Sequence, residues 1–235
     1  RSTITFYFLT GLAALAYGLF VASANSEIIE IEKRYDEICT GKLDCSITIT
    51  LTELMKQPIL VQYGIDNFHQ NHRIYMESFS LEQLEGQEIS QSEAIKRCSP
   101  AVTNQDLGKT KSWGGLDLEP TAVASPCGMK AKFYFNDEFQ LWNKTEQIPL
   151  AETDIAYPKG GDRFARSSTS EKTQWIQPDN EHFVVWMTPA SLSSFRKPWA
   201  KLDKDLMAGE YIIKIRNNYD ATQFNGKKYV ILTTA

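Results

Sequence analysis

Between Ser2 and Ser26 the chain carries no charged residue, and from Phe6 to Ala24 (FYFLTGLAALAYGLFVASA) only Thr10 and Ser23 interrupt a run of apolar, aromatic or small residues. A helix satisfies its own backbone hydrogen bonds in hydrocarbon, and about 20 residues at about 1.5 Å each span the roughly 30 Å of a bilayer core. The run therefore predicts a membrane-crossing helix within residues 1–26, with residues 27–235 forming one domain outside the cytosol. Ala22-Ser23-Ala24 has the small-x-small form of a signal-peptide cleavage site. The run exceeds the roughly 7 to 15 residues of a signal core, however, which favours the anchor over the signal peptide and over a buried soluble helix. Because Arg1 replaces an initiating Met, cytoplasmic sequence is expected ahead of it. Arg1 before the run, with Glu27, Glu30 and Glu32 after it, agrees with a cytoplasmic start.

Charge narrows the partners. With 25 basic and 29 acidic residues, and no Lys/Arg run longer than two, the chain lacks the cationic excess that a phosphate backbone demands. Nucleic acid is not an expected partner. The four cysteines, Cys39, Cys45, Cys98 and Cys127, form a close couple and a distant one with no CxxC. Outside the cytosol they predict two disulfides. Pairing neighbours gives Cys39–Cys45 and Cys98–Cys127, although four cysteines permit three connectivities. Free buried thiols and a Cys-only zinc site are the competing readings.

Along the domain the pattern is mainly β with α additions, an antiparallel β-sandwich-like fold attached to the transmembrane helix. Cys45–Leu51 alternates Ile47, Ile49 and Leu51 with hydroxyl residues, and Ile59–Tyr63 is a second β-prone run, so the two are expected in one sheet. Residues 26–34 are compatible with an extended first helix or with a first strand. Phe68, His72, Tyr75 and Phe79 are spaced for one face of a short helix or packed loop, and 81–126 reads as a polar surface excursion. Residues 129–142 change from strand-like to helix-like spacing. Residues 149–178, with Gly160-Gly161 and Ser167-Ser168, read as irregular structure over a core. Phe183–Met187 (FVVWM) is expected as a buried strand. Thr188-Pro189 would then open a helix bearing Leu192, Phe195, Trp199 and Leu202 on one face, kinked at Pro198. Tyr211–Arg216 and Lys228–Thr233 would close the domain as a hairpin across Asn225-Gly226, returning Ala235 toward the membrane.

Catalytic signals are lacking. His69 and His72 could share a helical face, with His182 or a carboxylate as a third ligand, but there is no HExxH. Gly108-Lys109-Thr110 lacks the upstream glycine and strand of a phosphate loop, and GxSxG and GxGxxG are missing. Neither catalysis nor a cofactor or metal is expected. Asn143-Lys144-Thr145 is the sole Asn-x-Ser/Thr triplet, which makes Asn143 a candidate glycosylation site.

Asp66–Ser78, DNFHQNHRIYMES, closely resembles a signature of the cell division control protein 50 family. Further blocks come in the family's order: Pro126-Cys127-Gly128, Phe135-Asn136-Asp137, NEHFVVWM with Phe195-Arg196-Lys197, Ala208–Tyr211, Asn218-Tyr219, and Phe224–Lys228. The resemblance covers nearly the whole chain. It implies a noncatalytic beta subunit of type-four P-type ATPases, the phospholipid flippases, needed for folding, export from the endoplasmic reticulum and activity of the catalytic alpha subunit. The implied architecture is two membrane helices, the second expected after residue 235, flanking a disulfide-bonded, glycosylated, β-rich ectodomain. Cys98 and Cys127 match the family couple around PCG, and Cys39 and Cys45 fall at its first cysteine cluster. Partners would be the alpha subunit, in a heterodimer, and membrane lipids. The location would be the endoplasmic reticulum, Golgi/endosomal or plasma membrane, with the ectodomain lumenal or extracellular. Departures are Ile74 for a second Arg, Glu138 for the Thr that would make Asn136 a glycan site, and a long insert between Cys98 and Cys127. Within the first block, Asn67, Phe68, Gln70, Asn71, His72, Arg73 and Tyr75 form a candidate network that either braces the domain or touches the partner. A reading from another class is a stand-alone membrane-tethered or secreted β-sandwich that binds a ligand or receptor.

Overall fold

In the computed structural model, which describes residues 2–156 and 164–234, α1 (Ser2–Ser26) projects alone, exposed on all sides. It is long and apolar enough to cross a membrane, and an all-round apolar helix is stable only where something apolar surrounds it. After a short link β1 (Glu30–Arg34) begins. Beyond α2 (Asp36–Cys39) come β2 (Asp44–Leu51) and β3 (Ile59–Ile65), joined by 52–58. The short helices α3 (Arg73–Glu77), α4 (Leu81–Leu84), α5 (Gln91–Cys98), α6 (Asn104–Leu107) and α7 (Met129–Lys132) lead to a hairpin of β4 (Glu138–Trp142) and β5 (Gln147–Ile148). Helices α8 (Ser170–Thr173) and α9 (Glu181–Met187) then precede β6 (Phe195–Leu202), β7 (Gly209–Arg216) and β8 (Lys228–Thr234).

Two four-stranded sheets result, in the orders β1-β8-β3-β6 and β2-β7-β4-β5, and every strand pair is antiparallel. Each contributes the apolar half of a period-2 alternation to a shared core: Ile47, Ile49 and Leu51 from β2, Tyr211, Ile213 and Ile215 from β7, Val230 and Leu232 from β8. Aromatic rings thicken that core. Tyr63 stacks on Phe135 at 3.9 Å, and Phe139 meets Trp199 edge-on at 5.1 Å. The expected two-layer, mainly β fold with α additions is borne out.

Several local expectations are not. The closing hairpin does not form, because β7 pairs with β2 and β4 while β8 pairs with β1 and β3 in the other sheet. For the same reason β2 and β3 lie in opposite sheets. Alternation specifies which face of a strand is buried but not which strand lies beside it. FVVWM is helical because Asn180 caps it, its side chain accepting from His182 N and Phe183 N. Local capping outweighs the β propensity of the two valines. The next element is strand β6 rather than a helix, and Leu192 points to solvent. Pro198 is tolerated there because β6 is an edge strand. The register against β3 shifts at this point, Val61 facing Ala200 and Gln62 facing Pro198, so both Trp199 and Ala200 turn inward. Residues 129–142 run helix first and strand second, the reverse of the spacing-based order. In the Phe68–Phe79 stretch only Arg73–Glu77 is helical, and His72 is exposed. The excursion 81–126 holds three short helices and buries Leu84, Ala94 and Leu107. Gly160-Gly161 lie outside the described residues.

Cys39 is bonded to Cys45 and Cys98 to Cys127, with Cα atoms 5.5 and 5.7 Å apart. Beside the second bridge Gly128 has φ +104°, and a Cβ there would collide with the Ser78 carbonyl. Ser78 is itself pinned: its hydroxyl donates to Cys98 O and accepts from Met129 N. Gly128→Ala is therefore expected to destabilise the domain by at least about 2 kcal/mol, read as a lowered denaturation midpoint.

Candidate functional site

Ala208–Tyr211 opens β7 at the end of the sandwich nearest α1, where Gly209 faces Leu51, while most of the motif blocks meet at the end away from α1. There β3 ends at Ile65, opposite Phe195 of β6 and Lys228 of β8, so the loops beginning at Asp66, preceding Phe195 and preceding Lys228 are neighbours. Their meeting is organised by one buried ion pair. Lys228 Nζ lies 2.7 Å from Asp137 Oδ2, and the two side chains are 3% and 0% exposed. Among the described residues no other ion pair is so enclosed. The ammonium also donates to Tyr219 O at 2.6 Å and to Asn217 Oδ1. The carboxylate accepts from Tyr35 Oη at 2.7 Å and from Tyr219 N at 2.6 Å. Burial, reinforced by the Asp137 charge, pushes the Tyr35 phenol pKa well above its ordinary value, so Tyr35 stays a neutral donor. Asp137 precedes β4, Tyr219 follows β7, Tyr35 follows β1 and Lys228 opens β8. The pair thus joins the two sheets.

A second buried lysine, Lys197, has no carboxylate partner among the described residues. Its Nζ donates to Val185 O, Trp186 O and Thr188 O at 3.2, 2.9 and 2.6 Å, the carbonyls that the C-terminal end of α9 leaves open. Burial, and secondarily Lys130, lowers its pKa, while these carbonyl dipoles favour the charged form. Trp186 in turn donates to Lys130 O at 2.8 Å, fastening α9 to α7.

The DNFHQNHRIY block divides by what its side chains hold. Phe68 and Tyr75 are buried edge to face at 5.5 Å, and Phe68 also packs on Phe224 at 4.9 Å. Gln70, fully buried, donates to Tyr75 Oη at 3.2 Å and accepts from Ala190 N at 2.9 Å. Asn67, at φ +60°, donates to Phe224 O, and Asn71 donates to Ser191 O at 2.9 Å. These five side chains therefore hold the surrounding loops. His72 and Arg73 face solvent, and among the described residues Arg73 is paired only with Glu77 one turn on, where both side chains are more than 60% exposed. Such a pair contributes little to stability.

Other candidates fall elsewhere. His69 is exposed, and His182 Nε2 lies 2.9 Å from Glu152 Oε2. Among the described residues no group of three or more His, Cys, Asp and Glu is placed to hold a metal ion. Gly108 is the left-handed cap of α6, and Lys109 lies over the Trp175 ring at 4.4 Å. Asn143 opens the β4–β5 turn, its Oδ1 accepting from Thr145 N and Glu146 N. The sequence marks Asp137 and Lys228 only as letters of separate blocks, and it passes over Tyr35 and Asn217. The acid Asp137 in the aromatic run FYFNDEF and the cation Lys228 opening KYVILTT are the signals that could have paired them.

Together these features define a class: a two-sheet, disulfide-linked domain behind an apolar helix, whose motif blocks hold its own loops and sheets in register. Within that class the chain belongs to the LEM3 (ligand-effect modulator 3) family / CDC50 family, whose profile matches residues 19–235. It is 30% identical to "Putative ALA-interacting subunit 4" of Arabidopsis thaliana, over 97% of this chain and 72% of that protein. It is 29% identical to "Cell cycle control protein 50A" of Bos taurus over the same shares, and 26% identical to "Cell cycle control protein 50B" of Homo sapiens over 97% and 76%.

Removing one partner of the buried pair leaves the other charge uncompensated. Asp137→Ala is expected to destabilise the domain by about 3–5 kcal/mol in denaturant unfolding. Adding Lys228→Met to it should restore part of that loss, since the stranded ammonium is gone.

Proposed function

We propose that this chain is a noncatalytic accessory (beta) subunit of a type-four P-type ATPase that moves phospholipids between leaflets. The observation that carries the proposal is the family match across nearly the whole chain, joined to the plant relatives' naming as ALA-interacting subunits. In this reading ATP hydrolysis and lipid movement reside in the catalytic alpha subunit. This chain binds the assembled states of that subunit and stabilises them, by mass action on its folding, export and activity. Bonded Cys39–Cys45 and Cys98–Cys127 suit an ectodomain on the lumenal or extracellular side, in the endoplasmic reticulum, Golgi/endosomal or plasma membrane. His72 and Arg73, exposed members of the DNFHQNHRIY block whose side chains hold no neighbouring loop among the described residues, are available to a partner, whereas Gln70, Asn71 and Tyr75 brace the domain. Asn143, in an accessible turn, is proposed to carry a glycan.

Extraction in mild detergent should bring down a stoichiometric companion several times larger than this chain, and recovery of a lone monomer would count against the subunit reading. Arg73→Ala is expected to leave the melting temperature within about 1 °C, because an exposed ion pair contributes so little. Loss of the companion from that variant would identify Arg73 as a contact. Glycosidase treatment should shift the wild-type band on a denaturing gel and leave Asn143→Gln unshifted.

A further inference from the structure

The end of the sandwich nearest α1 is crossed by two connections that run side by side. Residues 52–58 link β2 to β3 and residues 203–208 link β6 to β7, each passing from one sheet to the other. They lie at the same end because Ile59 faces both Leu202 and Thr234, while Leu51 faces Gly209. Reciprocal backbone hydrogen bonds of 2.9 Å between Met55 and Leu206 tie them together, and Asp205 accepts from Gln57 N. Met55 and Leu206 point into the core, 0% and 1% exposed. Their neighbours point the other way: Leu54 is 37% and Met207 66% exposed. Tyr211 Oη donates to Met207 O and fixes that loop, so Met207 is held outward rather than left free.

This end is also where α1 leaves. Only residues 27–29 separate α1 from β1, a reach of at most about 14 Å. Ile29 is bonded to Thr234, the last described residue of β8, next to Ile59. If α1 crosses a bilayer, the link of residues 27–29 holds the end of the sandwich that carries the two connections within about 14 Å of its surface. Their charges are Glu53, Asp203 and Asp205 against Lys56 and Lys204, a slight acidic excess that offers anionic headgroups no attraction.

The geometry points to an interaction surface for the lipid itself: Leu54 and Met207 rest in the zwitterionic interface of the bilayer that α1 crosses and fix the tilt of the sandwich on it. The inference relies on the membrane-anchor part of the proposed function. Apolar side chains at that boundary lose water contact at a depth of about 5–10 Å, and Lys56 and Lys204 can extend their ammonium groups to the headgroups beside them.

The four cysteines of this chain are paired in disulfides, so within residues 1–235 an introduced cysteine is the one unpaired thiol for an environment-sensitive fluorophore. Full-length Leu12→Cys, Leu54→Cys, Met207→Cys and Leu192→Cys would be labelled and placed in phosphatidylcholine nanodiscs. Leu192 serves as the reference because it is 71% exposed and belongs to the opposite end. The Leu54 and Met207 labels should shift to shorter emission wavelength and lose intensity to lipids bearing shallow nitroxides. The Leu12 label should lose intensity to deep ones, and the Leu192 label to neither. Quenching at Leu12 with none at Leu54 or Met207 would overturn this inference alone. A Met207 label shielded from a water-soluble quencher yet untouched by nitroxide lipid would overturn it in favour of a protein contact. Contact that appears only after phosphatidylserine is added would overturn the zwitterionic assignment. An unquenched Leu12 label would remove the anchor reading, and this inference with it.

Discussion

The contact between Lys228 and Asp137 is the interaction on which the rest of the arrangement turns. Two charges taken out of water are stabilising only if every remaining donor and acceptor is matched, and here Tyr35, Asn217 and Tyr219 do the matching. Those five residues come from four separated stretches of the chain and from both sheets. The pair is satisfied only when β1 and β8 of one sheet stand correctly against β4 and β7 of the other. A hydrophobic core would tolerate several near-equivalent stackings of two sheets, whereas this network admits one.

The same logic extends outward from the network. Lys197 closes the end of α9, Trp186 fastens α9 to α7, and Gly128 lets the chain pass under Ser78 beside the Cys98–Cys127 bridge. Gln70 and Asn71 then hold the loop before β6 against the loop after β3. The family's blocks therefore describe a chain of internal supports, which explains why residues far apart in sequence belong to one signature. His72 and Arg73 stand apart from it, exposed and, among the described residues, held by no side-chain contact beyond a weak ion pair.

The two ends of the sandwich differ in kind. The end away from α1 is internally bonded, by buried polar groups and packed aromatic rings, and is built from most of the motif blocks. The end beside α1 is made of two plain crossovers with apolar tips. A domain tethered by a three-residue link would have little freedom to choose which end faces the bilayer, so the polarity of the sheets relative to α1 follows from the register of β1 on β8.

Much of this was legible in the residues. The uncharged stretch before Ser26 specified its own helix, because length and lack of charge suffice. The alternation in β2, β7 and β8 marked strands and their buried faces, because a period of two is a local property. The long DNFHQNHRIY block and its ordered companions identified the family. Tertiary structure alone decided which strands are neighbours, since alternation is the same whether β7 and β8 pair or face each other. It alone turned Phe195–Leu202 into an edge strand, where pairing with β3 outweighed the apolar spacing, whereas the FVVWM helix rests on the local cap at Asn180 that the apolar spacing hid. And it alone brought Asp137 to Lys228, because a buried charge acquires its meaning only from the partner that folding places beside it.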